Sequence, residues 1–163
     1  MKKLGLFLCL MIGSLWSFSV GREGDPVKIH GHSWQKVKYD NGDAYFSAML
    51  PGEPRSGMSG AGIYSGSNYN GTSFEINTSY GQRYTSGKTK KLFLSEVKKV
   101  FSKYGNVKLI KPVPGSKYCA EVKYSSGKEI RQVYASPNFL YYAIVEGDDL
   151  SLASQFFKSV VVK

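Results

Sequence analysis

Strand-like segments joined by tight turns are the feature that most constrains how this chain can fold. Apolar and polar residues alternate over these segments, and Gly, Pro, Asn and Asp separate them, a pattern typical of strands connected by hairpin turns. The predicted strands are residues 34–39, 44–50, 72–80, 106–111, 118–124, 129–135, 139–145 and 159–162. Because a hairpin turn reverses the direction of the chain, we expect a largely antiparallel β-sheet.

A helix is predicted over residues 90–104, between the early and late strands. Phe93 and Val97 belong to an apolar stripe whose members recur every three or four residues, which is the spacing of one helix face. Thr89 or Ser86 is placed to cap the start of this helix through its hydroxyl oxygen. The lysines of the segment fall mainly outside the apolar stripe, so we expect them to face solvent.

A second helix is predicted over residues 150–158, with Asp148 or Asp149 as its N-terminal cap. The order of elements is then strands, helix, four strands, helix and strand. This order predicts the α+β class: a largely antiparallel β-sheet flanked by two main helices in a layered sandwich.

The N-terminus has the three-part pattern of a secretory signal. A short positive segment precedes an uncharged, mostly apolar stretch, and Ser17 and Ser19 supply the small residues that a signal peptidase reads. We therefore expect residues 1–19 to be removed on export, residues 20–33 to form a flexible lead-in, and residues 34–163 to form the folded domain. The product would be periplasmic or secreted. An uncleaved membrane anchor is the alternative, although the apolar stretch is short for a span.

Cysteine usage indicates a fold that is held by its core. Loss of the signal would remove Cys9 and leave Cys119 as the one cysteine, so no internal disulfide could form. Cys119 lies in an alternating strand-like run, and we expect it to be buried as a small apolar residue.

The positive charge of the chain is concentrated in one stretch. The formal net charge is +10, and residues 83–131 contain thirteen Lys or Arg and three acids, so this stretch accounts for the whole excess. A basic face attracts anionic surfaces and acidic partners through long-range electrostatics. The predicted contact residues are Lys88, Lys90, Lys91, Lys98, Lys99 and Lys103.

Two partners fit such a face in an exported protein: a protein assembly of the cell envelope and an anionic surface. Nucleic acid is disfavoured, because the sequence has no nucleic-acid-binding motif and Lys predominates over Arg. A lysine-rich surface that serves solubility alone remains open as the plain alternative.

Several core and turn patterns are shared with a known family. They are the run 45–54 with its Pro-Gly-Glu-Pro end, the Pro-Gly pair at 114–115 before a strand, the late segments 131–134 and 140–147, and the closing segment 156–162. In these the chain resembles the PsbP-like superfamily, named for the extrinsic subunit of photosystem II and sharing its fold with a Ran-binding nuclear import factor. The resemblance implies an antiparallel sheet flanked by helices and no enzymatic activity. Its functional residues are not matched here.

No pattern of catalytic or metal-binding residues stands out. His30 and His32 are the two histidines, and they lack further ligands at metal-site spacing. No serine or cysteine has a base placed to activate it, so we expect no enzyme, metal or cofactor. The Gly-rich segment 56–71 is predicted to be a mobile loop, and a short strand at residues 63–64 is left open. With Tyr64 and Tyr69 it could cover a pocket, so a small-ligand-binding protein or an envelope enzyme is the alternative function.

Overall fold

The computed structural model describes residues 20–59, 62–79 and 89–163. The predicted signal at residues 1–19, the cap candidate Ser86 and the contact residue Lys88 lie outside the described residues. In chain order the strands and helices are β1 (Gly21–Ile29), β2 (His32–Asp40), β3 (Tyr45–Pro51), β4 (Arg55–Ser59), β5 (Gly62–Tyr69), β6 (Thr72–Ser79), α1 (Lys90–Phe101), β7 (Gly105–Ile110), β8 (Tyr118–Tyr124), β9 (Glu129–Ala135), β10 (Leu140–Glu146), α2 (Ala153–Lys158) and β11 (Val161–Val162).

The strands form two sheets. One is four-stranded in the order β1-β2-β3-β11, and the other is seven-stranded in the order β4-β5-β6-β10-β9-β8-β7. Every strand pair is antiparallel. The predicted antiparallel pairing is therefore confirmed, and most neighbours along the chain are hairpin partners.

The main core lies between the two sheets. Trp34, Phe46 and Leu50 of the four-stranded sheet are buried together with inward side chains of the seven-stranded sheet, such as Phe74 and Tyr141. Helix α2 closes this layer, because its Phe156 ring meets the Phe74 ring edge-on with 5.8 Å between centroids. Buried and more exposed residues alternate along β6 and β10, which is why these strands could be predicted from the sequence.

Helix α1 covers the opposite face of the seven-stranded sheet. Its Phe93, Val97 and Phe101 pack with Val107 of β7 and Val133 of β9 in a second apolar cluster. We call this side of the sheet its outer face, and the side towards the four-stranded sheet its inner face. No helix among residues 20–59, 62–79 and 89–163 is long and apolar enough to cross a membrane.

The predicted sheet flanked by two main helices is wrong. Strands make up 56% of the described residues and helices 14%, so the molecule is mostly β and only loosely α+β. Helix α2 is six residues long and begins at Ala153, three residues later than predicted. The additional strands come from two segments that the sequence pattern presented as loops.

The first of these segments is the predicted flexible lead-in. Residues 21–29 form β1, which pairs with β2 through a two-residue turn at His30 and Gly31. Both turn residues have positive φ, 50° and 82°, as tight hairpins require. Every residue of β1 before Ile29 is exposed, so no apolar alternation marked the strand.

The predicted aspartate cap of α2 is also wrong. The N-cap is Leu152, which makes no side-chain capping bond. Asp149 Oδ1 instead accepts the Ser151 N–H at 2.9 Å in the turn before the helix. Asp148 forms an ion pair of 2.7 Å with Lys128.

Candidate functional site

Helix α1 carries the predicted lysines, and its ends are well defined. The Thr89 hydroxyl oxygen accepts the Leu92 N–H at 3.3 Å, which confirms Thr89 as the N-cap. At the other end the Ser102 N–H donates to the Lys98 carbonyl oxygen at 2.9 Å. Lys98 and Lys99 lie in the last turn, where positive charge suits the negative end of the helix dipole.

The buried face of α1 fixes which side chains point outwards. Phe93 is fully buried and stacks on Tyr118 of β8 with 5.8 Å between ring centroids. The Arg131 guanidinium lies 5.3 Å from the centroid of Phe101. With this face held against the sheet, Lys91, Lys98 and Lys99 lie outside the buried stripe. Lys90 is in line with that stripe but is exposed at the first position of the helix.

Five of the six predicted contact residues belong to α1 or directly follow it. Lys90, Lys91, Lys98 and Lys99 of α1 and Lys103 just after it are all exposed. We call these five residues the basic face. Among the described residues, none of the ion pairs involves a lysine of this face. Glu96 is the one acid of α1, so the five lysines and this glutamate together carry a net charge of +4.

Exposed apolar side chains accompany these lysines. Leu92 is 46% exposed, Val100 54% and Tyr104 46%. Leu92 and Val100 are eight residues apart and so lie in one row of the helix, next to the row of Lys99 and Lys103. The Lys103 Nζ lies 4.7 Å from the centroid of the Tyr104 ring. Lysines and apolar groups thus share one convex surface.

A second candidate site, which the sequence analysis missed, lies on the inner face. A groove of about 400 Å³ runs between α2 and the inner face of the seven-stranded sheet, and no residue of the four-stranded sheet lines it. We call it the α2 groove. The four-stranded sheet is narrower than the seven-stranded sheet and does not cover all of its inner face. The inner face therefore stays open near Glu121 and Lys123.

A chain of polar contacts begins in this groove and ends in the core. The Lys108 ammonium pairs with Glu121 Oε1 at 3.2 Å, and the Gln132 amide donates to Glu121 Oε2 at 3.0 Å. The Tyr134 hydroxyl donates to Gln132 Oε1 at 2.9 Å. Lys108, Glu121 and Gln132 face one another in adjacent strands, so correct pairing of the predicted hairpins would have revealed the contact.

The predicted mobile loop at 56–71 is wrong. This segment forms β4, β5 and the turn to β6, with residues 60 and 61 outside the described part. Its glycines permit close packing: a Cβ on Gly57 would lie 3.2 Å from the Tyr64 ring, and one on Gly66 would lie 2.9 Å from the Phe74 carbonyl oxygen. The inner side of this hairpin is filled by buried side chains, including Ile63. A pocket under a loop is therefore not the arrangement here.

A depression of about 410 Å³, similar in volume to the α2 groove, does lie on this hairpin, and Arg55, Tyr64 and Glu75 are among its lining residues. Tyr69, the second tyrosine of the segment, instead has its hydroxyl 3.0 Å from His32 Nδ1.

Cys119 is buried, as predicted. Burial, reinforced by the charge of Glu121, raises the pKa of its thiol to about 12. A thiol with this pKa is almost wholly protonated at neutral pH, so Cys119 is not an activated nucleophile. No group of three or more His, Cys, Asp or Glu within the described ranges could hold a metal ion.

Comparison with known proteins found no matching family model, no matching curated protein and no matching solved structure.

Proposed function

We propose that this chain is an exported, non-catalytic binding module that docks on an anionic lipid surface through the basic face. The observation that carries the proposal is the set of five exposed lysines on and just after α1, against one acid, Glu96. Leu92 and Val100 are exposed on the same helix. The export of the chain and the PsbP-like resemblance remain predictions from its sequence.

The composition of the basic face favours lipid over an acidic protein. Lysine is a hydrated point charge that does not need a planar, bidentate partner. Leu92, Val100 and Tyr104 add apolar and aromatic groups, which suit the boundary between headgroups and acyl chains. A helix that lies on a sheet is also convex, so it can meet a flat surface along its length.

The expected attachment is weak and reversible. Each lysine near an anionic membrane contributes about 1 kcal/mol, so five contribute at most about 5 kcal/mol. Salt screens exposed charges, with a Debye length of about 10 Å at 0.1 M and about 3 Å at 1 M ionic strength. Binding should therefore fade as salt is raised.

Flotation with vesicles tests the proposal. The purified full chain is mixed with vesicles of phosphatidylcholine alone or of phosphatidylcholine with phosphatidylglycerol, each at low and high salt. We expect flotation with the anionic vesicles at low salt and its loss at high salt. Equal flotation with both vesicle types, or none with either, would contradict lipid docking. An acidic envelope protein would then be the partner to seek.

A further inference from the structure

The α2 groove is an open depression with apolar and basic lining residues, and it is separate from the basic face. Its apolar lining residues, which we call its floor, are Val113, Ile130, Leu150, Ala153 and Phe157. Its volume of about 400 Å³ falls within the range of roughly 300–1,000 Å³ that is usual for ligand sites. The groove lies on the inner face of the seven-stranded sheet, whereas α1 lies on the outer face.

The rim of the groove is positively charged. Lys111, Lys123 and Lys158 line it and are exposed, and no ion pair among the described residues involves them. The one acid in the groove is Glu121, whose side chain is 13% exposed. Both of its carboxylate oxygens are engaged, one by Lys108 and the other by Gln132. An incoming anion therefore meets three lysines and a carboxylate whose charge is already compensated.

We propose that the α2 groove binds a single-chain anionic amphiphile, such as a medium-chain carboxylate. The hydrocarbon chain lies on the apolar floor, and the anionic head lies among Lys111, Lys123 and Lys158. The groove is open along one side, so the ligand remains partly accessible to solvent. This site is independent of the proposed docking function and would stand if lipid docking were disproved.

The two parts of the site make separable contributions. Each methylene group that is fully buried strengthens binding by about fourfold. An exposed lysine near the head strengthens it by roughly two- to fivefold. An anionic amphiphile should therefore bind more tightly than a neutral one of equal length, and a cationic one should bind least.

Decanoate, decanol and decyltrimethylammonium form a matched probe set. Each is titrated below its micelle concentration into the isotopically labelled full chain, and dissociation constants and perturbed amide signals are read by NMR. We expect decanoate to bind most tightly and to shift the signals of Lys123 and Ser154. Equal affinity for decanoate and the cationic probe, or shifts confined to α1, would overturn the proposal.

Variants separate the groove from other surfaces. Ser154 is exposed on α2 and lines the groove, so Ser154→Trp should block the floor without changing charge and should abolish decanoate binding. Lys123→Gln with Lys158→Gln should weaken decanoate by about tenfold and leave decanol unchanged. Lys98→Gln with Lys99→Gln is the matched control and should bind decanoate normally. Thermal unfolding shows that each variant is folded. Unaltered decanoate binding by folded Ser154→Trp would refute the site.

Discussion

The Phe93 ring of α1 stacks on the Tyr118 ring of β8, with 5.8 Å between centroids and 27° between planes. This contact anchors the first turns of α1 to the outer face of the seven-stranded sheet. Since a helix held by one face exposes the other, the contact also keeps the lysines of the basic face in solvent. Stability of the helix and presentation of its charge thus depend on the same residue.

Phe93→Ala should lower the free energy of unfolding by about 3–5 kcal/mol, because it removes a fully buried ring and leaves a cavity. Chemical denaturation followed by circular dichroism measures the change. Leu92→Ala is the matched control in the same turn. Leu92 is largely exposed, so this variant should change the free energy by less than about 1 kcal/mol. Similar losses for the two variants would contradict the packing described here.

Thr89→Ala should destabilise the chain by about 0.5–2 kcal/mol, since it removes the hydroxyl that accepts the Leu92 N–H. Ser95→Ala serves as the control, because Ser95 is exposed in the middle of α1 and alanine favours helix there. The denaturant concentration at the midpoint of unfolding is measured for both variants and compared. A stabilising effect of Thr89→Ala would show that the cap is not formed in solution.

Gln132→Leu should lower the free energy of unfolding by about 1–3 kcal/mol, because the Tyr134 hydroxyl and one Glu121 oxygen would lose their hydrogen-bond partner. In a Tyr134→Phe background, Gln132→Leu should lower the free energy of unfolding by less, since no tyrosine hydroxyl remains to lose its hydrogen bond. A double-mutant cycle of unfolding free energies measures this coupling. Additive effects would mean that Gln132 and Tyr134 do not interact.

Alkaline pH should destabilise the fold through Cys119. The folded thiol has its pKa raised from 9.0 to about 12, so the unfolded chain loses this proton at a lower pH than the folded chain does. The free energy of unfolding should therefore be unaffected by this group below pH 9.0 and fall as pH rises from 9.0 towards 12. In Cys119→Ala the decline should be shallower. An equally steep decline in that variant would assign the effect to other groups.

Strands whose own side chains pack into the core were predictable from the sequence. Strands β8 and β9 have the predicted bounds, because one face of each meets α1 and the other meets the main core. Gly127, with φ of 73°, lies at the turn that the Ser-Ser-Gly sequence indicated. Strand β10 was read as a central strand from its nearly continuous apolar run, and it lies between β6 and β9.

The segments that were not predicted from the sequence share a physical cause: residues distant in the chain stabilise their structure. Strand β1 is exposed along its length, so its pairing with β2 leaves no apolar pattern. Strands β4 and β5 are rich in Gly and Ser because backbone and aromatic rings approach closely at Gly57 and Gly66. The α2 groove results from the unequal widths of two sheets, which no local pattern encodes. The basic face was predictable, since charge density and helical spacing are both local.

A pair of charge reversals tests the proposed docking most directly, because the two variants differ in the position of the charge and not in its amount. One carries Lys98→Glu and Lys99→Glu on the basic face. The other carries Lys28→Glu on β1 and Arg55→Glu on β4, both exposed and outside α1 and the α2 groove. The measurement is the fraction of each full chain that floats with phosphatidylglycerol-containing vesicles at low salt. We predict that the first variant loses binding and that the second retains most of it. Equal loss in both would mean that net charge alone drives attachment, and the basic face would not be a docking site.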